Sequence, residues 1–342
     1  MEVSEGTEEA QDIVRPRTAP DKFCVSVKGL KDGEQATLLG QTVGACVNEL
    51  SLHIDLSGLD GVTIAVDYRQ AVLDLDRGYE SSLPLTPTED VVVGVAMTPT
   101  VMRDGNVKSH IVLNAAIVLN LLDPSHEGFR LALHLLAHEC AHVEVTRKFD
   151  SAFPGILLQH HHTDIHETLR WKAILACWDE YAATWISAGI GRDPTADYED
   201  TFLEMLENVR ARANDLIRAY RIHSDVNQVL GTVYGTYSDF LKLTAYHLGN
   251  MVGQGLTLDD LPRTRAALER NWFSPYFDRL GELCGSLAAN YGQWPDQRQF
   301  EAIGDLADEL LAEGGLILSR PADGSLYVDI PFTPETMPDE DT

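Results

Sequence analysis

The 342-residue chain is poor in several features that would assign it quickly. Cysteine is scarce: five residues, at positions 24, 46, 140, 177 and 284, odd in number and without a C-x-x-C pair. A disulfide framework needs paired, regularly spaced cysteines in an oxidising compartment, so these read as reduced thiols. No apolar run approaches the roughly 18 residues of a membrane span, and no basic-then-apolar stretch reads as a secretory signal. The expected location is therefore cytoplasmic. Basic side chains are also few, 26 against 53 acidic ones, for a net charge of −27. Such a surface repels phosphate backbones and anionic membranes, which argues against nucleic-acid and membrane partners. It either favours basic partners or only keeps the chain in solution. No internal repeat and no Gly-rich phosphate loop is present.

What the chain does have is His138-Glu139-Cys140-Ala141-His142, an H-E-x-x-H pattern inside the apolar stretch 129–145. Each helical residue advances about 100°, so positions i and i+4 lie one turn apart on one face. His138 and His142 can then grip one metal ion, while Glu139 misses the ion and reaches a water beside it. Zinc hydrolysis needs that division of labour: neutral nitrogens to hold the metal, an open position for water, and a carboxylate to take a proton. Asp123 as N-cap and Pro124 at the first helical position are the expected start of this helix. His134, four residues before His138, extends the same face and is expected to be a supporting or simply buried histidine.

A third histidine six residues after the second would fall on Lys148, so that ligand pattern is absent. The next helix carries Trp178-Asp179-Glu180-Tyr181-Ala182-Ala183-Thr184-Trp185, an E-x-x-A setting. With this pair of motifs the chain resembles the zincin metallopeptidases, and within them the gluzincin type, over roughly residues 60–190. The resemblance implies His138, His142 and Glu180 as ligands of Zn2+ and Glu139 as general base. It also implies that Ala183 lets the two helices approach. Read from the residues alone, the third position stays open to Asp179, about 100° away on the helix, and to the linker histidines His160, His161, His162 and His166.

The surrounding pattern reads as α+β. Residues 34–52 form an amphipathic helix, 61–68 and 91–97 strands, and Asp104-Gly105 a hairpin turn returning through 110–114. This order fits the upper half of a zincin, in which an exposed sheet edge (91–99 or its return) holds an extended substrate. The expected fold class is a zincin-like core, a small mixed β-sheet packed on the H-E-x-x-H helix, with a large, mainly α-helical C-terminal half. The expected divisions are an acidic tail over 1–21, the catalytic core over 22–191, ended by Gly189, Gly191 and Pro194, and a helical subdomain over 192–294. A helix plus β-hairpin over 295–333 and an acidic tail over 334–342 follow. Within these, helices are expected over 198–223, 224–252, 261–294 and 299–313, and the hairpin over 316–330. Residues 295–342 hold 12 acidic and 2 basic side chains, which removes a DNA-binding winged helix from consideration.

The function expected is zinc-dependent hydrolysis of a peptide or protein substrate. Tyr246 and His247 are candidates for stabilising the oxyanion, against packing roles in a helix. The alternative is a zincin-shaped binding or regulatory protein whose metal is structural. A fourth protein ligand, for instance from the 160–162 cluster, would mark that case, because structural zinc sites are closed and catalytic ones keep a water position.

Overall fold

The computed structural model describes residues 16–81, 85, 95–160, 162 and 164–338. Its sheet is built from short, largely apolar strands. β1 (Cys24–Lys28) pairs in parallel with β2 (Leu59–Ala65), and β2 with β5 (Asn106–Asn114). On the far side of β5, β3 (Ala96–Met97) and β4 (Thr100–Arg103) run antiparallel. Parallel neighbours require a crossover, and α1 (Gly33–Leu50) supplies the one between β1 and β2. Asp32 caps α1 by accepting from the backbone N–H groups of Glu34 and Gln35. Leu39, Val43, Val47 and Leu50 bury its inner face. The Asp104-Gly105 turn forms as expected, with both residues at positive φ (51° and 76°) and Arg103 opposite Asn106.

β3 and β4 make one edge, broken at Pro99, which has no N–H to give. The carbonyls of Val95 and Pro99 accept from the N–H groups of Asn114 and His110. Bonding alternates along an antiparallel strand, so Ala96, Thr98 and Thr100 turn their main-chain groups away from β5. Met102 belongs to this outward row, and its N–H is taken by the Arg77 carbonyl. Of the strand expected over 91–97, residues 91–94 lie outside the described residues.

Helices follow: α2 (Tyr68–Leu73), α3 (Ala115–Val118), α4 (Phe129–Ala152), α5 (Ile165–Ser187), α6 (Thr195–His223), α7 (Val226–Gln254), α8 (Pro262–Leu268), α9 (Ser274–Ala289) and α10 (Arg298–Glu313). α4 is the hinge of the packing. Leu136, Ala137, Cys140 and Val143 join the core against the sheet, while Val145 and Phe149 join the core of the helical half. α7 crosses α5 closely at Gly249, where an added Cβ would lie 2.3 Å from the Tyr181 carbonyl oxygen. Only a residue without a side chain fits there. None of these helices is long and apolar enough to cross a membrane.

Several expectations are corrected. The motif helix starts at Phe129, because the Asp123 carboxylate is spent on a turn, accepting from Ser125 N and Oγ. The helix expected over 261–294 is two helices, α8 and α9, separated by a turn at Arg270 with φ 58°. β6 (Ile317–Ser319) and β7 (Tyr327–Asp329) form the expected hairpin, but as a separate two-stranded sheet that does not extend the main one. Thr18, placed in the tail by sequence, is tied down: its hydroxyl accepts from Leu56 N and has the Ser51 and Ile54 carbonyls in reach of its single hydrogen, at 2.9 and 2.8 Å.

α10 is fastened to α5 and α7 through Asp308. It accepts from His166 Nε2 (2.9 Å) and the Tyr234 hydroxyl (2.9 Å), and pairs with Arg170 Nη1 (2.7 Å). Burial alone would raise its pKa, but His166, Tyr234 and Arg170 hold the carboxyl below its ordinary value. Asp308→Asn is expected to cost about 2–3 kcal/mol, less than a fully buried pair because the side chain is a quarter exposed. A folded-state pKa that is depressed gives stability present above the unfolded value, about 3.9, and lost as pH falls through the folded one. Urea midpoints of wild type and variant should therefore keep a constant separation from pH 7 to about pH 4 and converge only below it. A gap that narrows above about pH 5, or that persists unchanged after the carboxylate is protonated in strong acid, contradicts the ion-pair account.

Candidate metal centre

The local sequence dictates how the site assembles. α4 is buried on both faces, so its polar residues are costly there unless they find partners, and His138, Glu139 and His142 are all buried. α5 lies beside it, with small Ala182 and Ala183 wholly buried near the contact. That approach brings Glu180 to the two histidines. Glu180 Oε2 lies 3.4 Å from His138 Nε2 and 3.4 Å from His142 Nε2, and the two nitrogens are 3.1 Å apart. His138, Glu139 and His142 form a group whose ligand atoms fall within 4.8 Å of one another, a possible metal-binding cluster in a buried helix.

The triangle has the dimensions a metal needs. Donors about 2.0–2.2 Å from a tetrahedral ion are spaced roughly 3.3–3.6 Å from each other. Glu180 Oε2 is also buried without a hydrogen-bond partner among the described residues, and an unsatisfied buried carboxylate oxygen is costly. Glu139 differs, since its Oε2 accepts from the Thr98 hydroxyl at 2.6 Å. The residues present therefore fit a metal ion at the two imidazoles, with the carboxylates of Glu139 and Glu180 both close by.

Charge points the same way. Burial opposes a charged His142, yet Asp179, Glu180 and Glu139 hold its pKa up at about 10. Burial would raise Glu180, but His142, His138 and the Tyr246 hydroxyl keep it near 2. Glu139 is pushed upward, first by burial. Three carboxylates thus surround the histidines, an excess of negative charge suited to a cation that displaces the His142 proton.

Asp179 and Glu180 are adjacent, and the structure separates their parts. Glu180 faces the Nε2 atoms, whereas Asp179 Oδ2 sits behind His142, 2.9 Å from Nδ1. His134 Nδ1 donates to the Ile190 carbonyl at 3.2 Å, leaving Nε2 to face the Tyr198 hydroxyl at 3.4 Å. The described linker histidines lie elsewhere: His166 is bonded to Asp308, and His160 and His162 contact each other near Trp171. His161 lies outside the described residues.

A cleft of about 470 Å³ opens at this corner. Tyr246 lines it, stacked on His138 with ring centres 5.7 Å apart. His247 does not. It points about 100° away around α7, fully buried, with Nε2 donating to Thr264 Oγ1. Sequence reasoning missed Thr98, Tyr198 and Lys242, which also line the cleft. Thr98 carries no signal in sequence, being one polar residue in a short edge, and Tyr198 sits on a helix whose contact face only packing reveals.

Comparison with protein-family models, with curated proteins and with solved structures finds no match for the chain. The site must be judged on its geometry. One equivalent of a divalent metal should bind, and His138→Ala or His142→Ala should abolish binding. Asp179→Asn should weaken it by about 10–100-fold, as loss of a ligand's supporting carboxylate does. Competition against a chromophoric chelator reads all three, and full-strength binding by His142→Ala contradicts the site.

Proposed function

We propose that this chain is a zinc-dependent hydrolase, specifically a metallopeptidase with a zincin-like core. His138, His142 and Glu180 are the metal ligands and Glu139 is the general base. The observation that carries the reading is the 3.1–3.4 Å triangle of His138 Nε2, His142 Nε2 and Glu180 Oε2 beside a buried glutamate, at the wall of an open cleft.

Zinc bound there would supply Lewis acidity, making a water acidic enough to attack near neutral pH and polarising the substrate carbonyl. The protein's residues do the rest. Glu139, its carboxylate oriented by Thr98, takes the proton of the attacking water and passes it to the departing amine. The desolvation that raises its proton affinity suits a group that must hold that proton between the two events. Tyr246, with its phenol against Glu180 and its ring on His138, is placed to donate to the developing oxyanion. The outward main-chain groups of Ala96, Thr98 and Thr100 offer a strand edge for an extended peptide. The strong negative charge makes basic peptides the electrostatically favoured substrates. Five unpaired thiols suit a reducing compartment, in keeping with a cytoplasmic site of action.

The alternative, a structural metal in a binding or regulatory protein, calls for a closed, four-ligand site. Against it stand Glu139's engagement with Thr98, the distant His160, His162 and His166, and the cleft that leaves one side of the triangle accessible. Glu139→Gln should retain zinc and lose peptidase activity by about 10²–10⁴-fold, the usual worth of a general base. Hydrolysis of a denatured protein substrate by zinc-loaded wild type and variant is the assay. Equal rates in the two contradict the role of Glu139.

A further inference from the structure

A second pocket of about 210 Å³ adjoins the cleft and shares Thr100 and Asp179 with it. We propose that this pocket is a specificity subsite for one large apolar side chain of the substrate, within two residues of the scissile bond. The inference rests on the peptidase reading and adds to it the class of peptide selected.

Its position follows from helix geometry. Thr146 stands one turn beyond His142 on α4, and Ala176 one turn before Glu180 on α5; both line the pocket. The groove between the two helices therefore continues about 5.4 Å, one helical turn, past the metal ligands on both walls. Val145, Phe149, Leu157, Leu175 and Trp178 complete an apolar lining. Thr100 lies two residues beyond Thr98 on the sheet edge, about 7 Å along the strand and on the same face. A peptide laid along that edge, with its scissile carbonyl near Glu139, thus brings a side chain over the pocket within two residues of the reacting bond. The volume is sufficient: a dry cavity of about 150 Å³ admits benzene. Phe, Leu and Met side chains match both its size and its chemistry; an acidic one would meet Asp179, and a basic one would have to compete with His142 for that carboxylate while losing water against Phe149 and Trp178.

The test uses the zinc-loaded full chain and an unbiased mixture of octapeptides, with cleavage sites mapped by mass spectrometry. One fixed position within two residues of the cut should favour Phe, Leu or Met over Ala by about 10–100-fold, the worth of burying one such side chain. Ala176→Leu and Thr146→Leu fill the pocket from opposite walls, and each should bring that ratio close to one. Circular dichroism identifies a variant that fails to fold, and the other then carries the measurement. Cleavage without an apolar preference, or with one that both variants keep, overturns the subsite. Absence of all cleavage by zinc-loaded wild type refutes the peptidase reading instead. The pocket is then judged by titrating zinc-loaded Glu139→Gln with a Phe-containing octapeptide and its Ala counterpart, following tryptophan fluorescence. Tighter binding of the Phe peptide that Ala176→Leu removes upholds the pocket, and equal binding of the two peptides overturns it.

Discussion

The structure turns on the burial of a charged cluster between two helices. Placing His138, Glu139, His142 and Glu180 out of water is expensive unless each is paired. The molecule meets that cost with a second ring of contacts: Thr98 on Glu139, Asp179 behind His142, Tyr246 against Glu180 and over the His138 ring. Glu180 Oε2 is left without a hydrogen bond, as is His138 Nδ1, and the two Nε2 atoms each lie 3.4 Å from that oxygen. A cation among these atoms completes the set. Without one, the negative charge around His142 can only be answered by a proton.

The rest of the fold is arranged around that pair of helices. α4 contributes to both hydrophobic cores, so its position is fixed from the sheet side and from the helical side at once. α7 is drawn against α5 by the missing side chain at Gly249, and one turn earlier it presents Tyr246 to the cleft. The sheet contributes its interrupted edge at Pro99, which puts Thr98 within reach of Glu139. Three separate parts of the chain therefore supply the groups that act together, and none could hold its group in place alone.

Much of this was legible in sequence where one local rule governs. The H-E-x-x-H spacing put two imidazoles on one face because a helix has a fixed pitch, and the Asp104-Gly105 turn formed because those residues tolerate positive φ. α1 followed from its amphipathic pattern, and β2 from an apolar run bounded by turn residues. Errors arose where tertiary context chose between local options. Asp123 could cap a helix or a turn, and the chain used it for a turn, delaying α4 to Phe129. Tyr246 and His247 are neighbours on a helix buried over most of its surface, so no amphipathic pattern showed which one faces the cleft. Asp179 and Glu180 were separable only once the distance to each imidazole nitrogen was known.

X-ray absorption at the zinc edge of the purified chain probes the central claim most directly. The account predicts two imidazole nitrogens and oxygen donors from a carboxylate and solvent at about 2.0–2.2 Å, with no sulfur despite the nearby buried Cys140. A sphere containing sulfur, or one closed by three or more imidazoles, would contradict it.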